Sequence, residues 1–101
     1  MVRHIILWNL KSEYSPQQRA ELKKSIKEGI ETLNGKIPGL LGIKVYINPF
    51  ETSNVELTLD ASFESKAALD AYDVHPVHVA VANTFFFPFM DKFSIMDFEA
   101  E

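Results

Sequence analysis

The 101-residue chain predicts an α+β domain: a four-stranded antiparallel sheet with its helices on one face, in the order β-α-β-β-α-β. Three observations predict it. Runs 40–48 and 55–63 alternate apolar and polar residues with period two, whereas 2–10 is apolar on both parities. A capped stripe with helical spacing separates the first run from the second. A second helical stretch, interrupted by proline, separates the third run from a last apolar run at 92–98. No repeat, linker or low-complexity segment divides residues 1–101, so one domain is expected.

The elements follow in order. In "VRHIILWNL", 2–10, Val2, His4, Ile6, Trp8 and Leu10 share one parity, and Ile5 and Leu7 occupy the other. A strand with apolar groups on both parities is covered on both faces. "SPQQ" then starts a helix. Ser15 caps it, Pro16 suits its first position and Gln18 completes a capping box. Leu22, Ile26, Ile30 and Leu33 form its buried stripe, while Lys23, Lys24, Lys27 and Glu28 form a solvated face. Gly35 supplies the left-handed residue that closes the helix, and Pro38 prevents its return.

In 40–48, Ile43, Val45 and Ile47 alternate with Lys44, Tyr46 and Asn48. In 55–63, Val55, Leu57, Leu59, Ala61 and Phe63 share a parity. "PFETSN" between these runs has turn composition, so they pair as an antiparallel hairpin. Ser65 caps a short helix through Leu69 and Tyr72. His75-Pro76 breaks it, because a residue before proline avoids helical dihedrals, and Pro76 starts a further helical segment. Pro88 ends the aromatic run "FFFPF", 92–98 is the last strand, and the tail "EAE" is expected to fray. This is the ferredoxin-like plan. Its second sheet face also carries apolar side chains such as Ile5 and Leu7. A two-fold copy laying its sheet against this one would cover them, so a homodimer through the open sheet face is expected.

Composition excludes several functions. Net charge is −4 with dispersed Lys and Arg, which argues against nucleic acid. The absence of cysteine removes disulfides, thiolate chemistry and Cys-based metal sites. The run "IILW" is too short for a signal peptide or a membrane span, so we expect a cytoplasmic protein without membrane contact.

The chemistry-bearing stretch is "AYDVHPVHVA", 71–80, which holds Tyr72, His75 and His78. Two readings stand side by side. In one, these are polar trim: histidines capping helix ends and a buried tyrosine with one hydrogen-bond partner. In the other, His78 is a general base and Tyr72 a donor that stabilises an enolate oxygen. The first turn after Pro76 would hold the His78 ring neutral through the helix dipole. His75 reads as a cap. His4 on an apolar strand face reads as a core histidine or as a polar contact in the same pocket. The His75/His78 spacing can share a metal ion, but Pro76 distorts the turn and no carboxylate sits one turn on. No metal and no cofactor are expected. Phe85, Phe86, Phe87, Phe89 and Phe93 supply core and dimer contacts, or line a pocket for an apolar or aromatic molecule.

An opening "HIILW" strand, a capped helix followed by "IPG", then "SFES", "AYDVHPVH" and a closing strand ending "MDF" together resemble the stress-responsive A/B barrel domain (Dabb) family. The resemblance runs over nearly the whole chain, and Tyr-x-x-His-Pro-x-His is its most specific part. It implies a dimeric α+β barrel, in which two ferredoxin-like subunits pack their sheets together. One plant branch of the family contains a polyketide cyclase that closes its substrate by an intramolecular aldol reaction. The resemblance places that enzyme's tyrosine–histidine pair at Tyr72 and His78, and its first-strand histidine at His4. Two further pocket groups differ, with Leu57 in place of a histidine and Ser25 or Ile26 in place of a tyrosine. The expected site therefore has His78 and Tyr72 as catalytic groups and His4, Ile6, Trp8, Leu57, Phe85 and Phe86 as lining. It would take a small apolar or aromatic carbonyl compound. The alternative is a non-enzymatic, stress-associated dimer whose cavity its own side chains fill.

Overall fold

The computed structural model describes residues 1–101. Its elements are β1 (Val2–Leu10), α1 (Pro16–Glu31), β2 (Leu40–Tyr46), β3 (Leu57–Phe63), α2 (Lys66–Asp73), α3 (Pro76–Phe85) and β4 (Met90–Glu99). The four strands form one antiparallel sheet in the order β2-β3-β1-β4. This is the ferredoxin-like arrangement, with the second helical stretch divided at His75-Pro76 into α2 and α3.

Local chemistry explains the boundaries. The Ser15 hydroxyl accepts from the Gln18 N–H at 3.2 Å, and the Gln18 side chain accepts from the Ser15 N–H at 2.8 Å, completing the capping box. The Ser65 hydroxyl accepts from the Ala68 N–H at 3.1 Å to start α2. His75 caps α3, its Nδ1 accepting from the Val77 N–H at 3.1 Å. After α1 the chain makes turns that include Gly35 at φ +78° and Gly39 at φ +82°. At Gly39 a side chain is excluded twice over, since a Cβ there would also lie 2.5 Å from the Ala68 Cβ.

The core lies between the helices and one sheet face. Val2, Trp8, Leu10, Leu57, Leu59, Ala61 and Phe63 of the central strands meet Ile26 and Ile30 of α1, Leu33 of the turn after it, and Leu69 and Tyr72 of α2. Gly29 belongs to this packing, because the Phe85 ring fills the place a Cβ would take. The helices lie over the sheet from β2 to β1 and leave β4 uncovered, so Phe93 is 41% and Ile95 48% exposed on the same face.

The hairpin strands are shorter than the alternating runs, ending at Tyr46 and beginning at Leu57. The last strand is longer than expected, and the tail is not frayed where it meets β1. The Ala100 N–H donates to the Met1 carbonyl at 2.8 Å, and the Met1 ammonium meets Glu99 Oε2 at 2.7 Å. The chain's first residue supplies the partners that the tail was expected to lack.

Candidate functional site

A cavity of about 150 Å³ lies between α1, α3 and the β1/β4 side of the sheet. Its walls are apolar: Ile30 from α1, Leu33 from the turn after it, Leu59 from β3, Val81 and Ala82 from α3, and Phe93 and Ile95 from β4. Its polar lining comes from His4, Tyr72, Asp73 and His78.

Tyr72, at the end of α2, and His78, in the first turn of α3, are brought face to face by the break at Pro76. Their ring centroids are 4.0 Å apart, with the planes inclined by 32°. His78 Nδ1 lies 3.2 Å from the Asp73 carbonyl oxygen. A carbonyl only accepts, so Nδ1 carries the proton and Nε2 keeps its lone pair. Burial holds the His78 pKa below the ordinary histidine value, outweighing the raising effects of the Asp73 carbonyl and carboxylate. The expected neutral ring is therefore there, with burial in first place where the sequence suggested the helix dipole. Tyr72 is 2% exposed, and its hydroxyl makes no hydrogen bond within the chain. Burial, and then the nearby Asp73 charge, push its pKa well above the ordinary tyrosine value. The phenol therefore stays protonated at neutral pH.

His4 enters from β1, its ring centroid 6.0 Å from that of Tyr72 and 6.4 Å from that of Phe63, both edge-on. Its Nδ1 is hydrogen-bonded to Asp97 Oδ1 on β4, the residue directly opposite it in the strand register.

Of the expected site residues, the cavity unites His4, Ile6, Tyr72, His78 and Phe86. Trp8, Leu57 and Phe85 are elsewhere. Trp8 is 1% exposed and stands behind Phe86, with ring centroids 5.1 Å apart. Leu57, opposite Trp8 in the register, belongs to the packed core. Phe85 turns toward Gly29 on α1. His75 is engaged as a cap, and no cluster of three His, Asp or Glu side chains is placed to hold a metal ion. Sequence reasoning missed Asp97 and Asp73 as partners of the two histidines, and Ile95 as a wall, whereas Phe93 was among the phenylalanines read as possible pocket lining. The parity Phe93-Ile95-Asp97 was visible, but only the β1/β4 register connects it to His4.

The family model for the stress responsive A/B barrel domain matches residues 2–100. A stress-response A/B barrel domain-containing protein of Arabidopsis thaliana, HS1, is 29% identical over 98 residues, spanning 97% of this chain and 88% of that protein. A dimeric protein of unknown function from Bacteroides fragilis with a ferredoxin-like fold superposes with a TM-score of 0.86 at 26% identity, covering 98% of this chain and 95% of the other. The hydroxynitrile lyase of Passiflora edulis, at 18% identity and a TM-score of 0.70 over 96% of this chain and 90% of its own, shares the fold. The sheet order, the broken second helix and a family match spanning all but the two end residues agree: the chain belongs to the stress-responsive A/B barrel domain family.

Proposed function

We propose that the cavity binds a small aromatic or apolar carbonyl compound and catalyses proton transfer next to its carbonyl without a cofactor. The observation that carries this reading is the stacked Tyr72–His78 pair on the wall of an otherwise apolar chamber. His78 Nε2 takes a proton from the α-carbon. The C–H electron pair becomes the enolate double bond, and the charge moves to the carbonyl oxygen. The Tyr72 hydroxyl, still protonated at neutral pH, donates to that oxygen. His78 then returns its proton to the enolate carbon, or that carbon attacks a second carbonyl, whose C=O π pair becomes an alkoxide that takes the proton from His78. The chamber's volume of about 150 Å³ suits a ligand built on one aromatic ring, since an apolar cavity of that size takes up benzene.

The molecule works as a homodimer on this reading, because relatives of this fold are dimeric and the open sheet face carries Ile5, Leu7 and Met96. A cytoplasmic setting belongs to the same proposal. No helix is long and apolar enough to cross a membrane.

The test uses two probes in D2O. Acetophenone should shift the NMR signals of cavity residues, and phenylacetone should exchange its benzylic protons faster with the protein than in buffer. His78→Gln and Tyr72→Phe should each slow that exchange by about 10²-fold or more while preserving the fold. If acetophenone moves no cavity signal and exchange stays at the buffer rate, the reading is wrong. A structural dimer with a self-filled cavity then stands in its place.

A further inference from the structure

We propose that Asp97 fixes His4 as a second hydrogen-bond acceptor of the cavity, so that the site selects an aromatic carbonyl compound that also carries a hydroxyl donor. This rests on the ligand-binding reading above and adds a positioning residue and a substrate class to it.

His4 is 8% exposed and lines the cavity. Its Nδ1 is engaged by Asp97, and a carboxylate only accepts, so Nδ1 carries the proton. In the neutral ring Nε2 is then a lone-pair acceptor, and it has no partner within the chain. His78 is in the same condition, with Nδ1–H committed to the Asp73 carbonyl and Nε2 free. The Tyr72 hydroxyl is the donor between them, its ring 4.0 Å from that of His78 and 6.0 Å from that of His4. Asp73 also lines the chamber, but its carbonyl is taken by His78 and the residue is exposed, so the unpaired groups of the ring side chains amount to two acceptors and one donor.

A ligand that matches this set presents a carbonyl oxygen to Tyr72, its acidic C–H to His78 and a hydroxyl to His4. A ligand without the hydroxyl leaves a buried acceptor unmatched, which costs affinity. The two histidines then have different tasks, one removing a proton and the other holding the far end of the substrate. Asp97 acts only through His4. It sits on the half-exposed strand β4, outside the cavity, and sets which ring nitrogen carries hydrogen.

The experiment compares acetophenone with its three ring-hydroxylated isomers, using cavity NMR shifts to measure each Kd. In the wild-type protein the best hydroxylated isomer should bind about three- to tenfold tighter than acetophenone, the worth of one added hydrogen bond. Asp97→Asn keeps the shape but lets the amide N–H donate to Nδ1, moving the ring proton to Nε2, as an asparagine does beside a catalytic histidine. With Nε2–H now a donor, which a phenol oxygen can still accept, that variant should lose the preference for the best hydroxylated isomer over its own methyl ether, which the wild type should show by about three- to tenfold. The ¹⁵N signals of His4 should show Nδ1 without hydrogen. If no isomer gains affinity in the wild type, or if either the preference over the methyl ether or the original tautomer survives Asp97→Asn, the inference is overturned. Failure of acetophenone itself to bind would instead remove the underlying ligand reading.

Discussion

At the scale of single residues, the buried ring of His78 should tie the protein's stability to pH. His78 is held neutral by burial, its pKa below the ordinary value of about 6.5. Between that ordinary value and the lower folded one, the unfolded chain binds the proton more readily than the folded chain does. Stability is therefore lost as pH falls below about 6.5, and the loss levels off once the folded imidazole also takes its proton. His78→Gln removes this contribution, so its urea midpoint should change less than the wild type's between pH 7 and pH 5. Parallel slopes in the two proteins would show that burial of His78 is not the cause. The Tyr72–His78 pairing was legible in the sequence because Pro76 at a fixed offset forces a corner, and a corner brings flanking side chains together. Asp97 was not legible as a partner of His4. They are 93 positions apart, and only strand register makes them neighbours.

At the scale of elements, the sheet treats its two edges differently. β2 is an edge strand, and its outward backbone groups are taken up by side chains of α1 and its exit turn. The Asn34 amide donates to the Ile43 carbonyl and accepts from the Ile43 N–H, both at 2.9 Å. Glu31 accepts from the Val45 N–H at 2.9 Å, and Lys27 donates to the Val45 carbonyl at 2.6 Å. An edge closed in this way cannot template another strand. Asn34→Ala should cost about 1–2 kcal/mol, the worth of two partly exposed hydrogen bonds. It should also speed amide hydrogen exchange at Ile43 more than at Lys44, which pairs inward with Asp60. Equal exchange at both positions would mean that Asn34 does not seal the edge. Caps and strand parities were readable because they depend on spacing within a few residues. This sealing was not, because "LNGK" has the composition of a turn and nothing local says that the turn lies alongside a strand. The frayed tail was misread for the same reason: its partner, Met1, is at the opposite end of the chain.

For the whole molecule, the face turned away from the helices is the unfinished part. Ile5 and Leu7 of β1 lie there with Met96 and Phe98 of β4, and Leu7 is 39% and Met96 64% exposed. The sequence showed that β1 is apolar on both parities and therefore needs cover on both sides. It could not show that Arg3 and Asp60 meet on this same face at 2.6 Å. A cation and an anion already joined are less costly to desolvate together than either alone, so this pair would not bar the face from being covered. A two-fold copy places each patch against itself, so one substitution acts twice. The wild-type protein should run in native mass spectrometry at twice the subunit mass at micromolar concentration. Leu7→Glu puts two carboxylates into one apolar seam, where neither finds a partner. It should shift the population to monomers with unchanged helix and strand content by circular dichroism. Because Leu7 is on the opposite sheet face from the cavity, any loss of acetophenone binding in that monomer would come from assembly itself. A wild-type protein that stays monomeric at these concentrations, with its apolar face in water, would remove the dimer from this account and leave the cavity reading to stand on the single subunit.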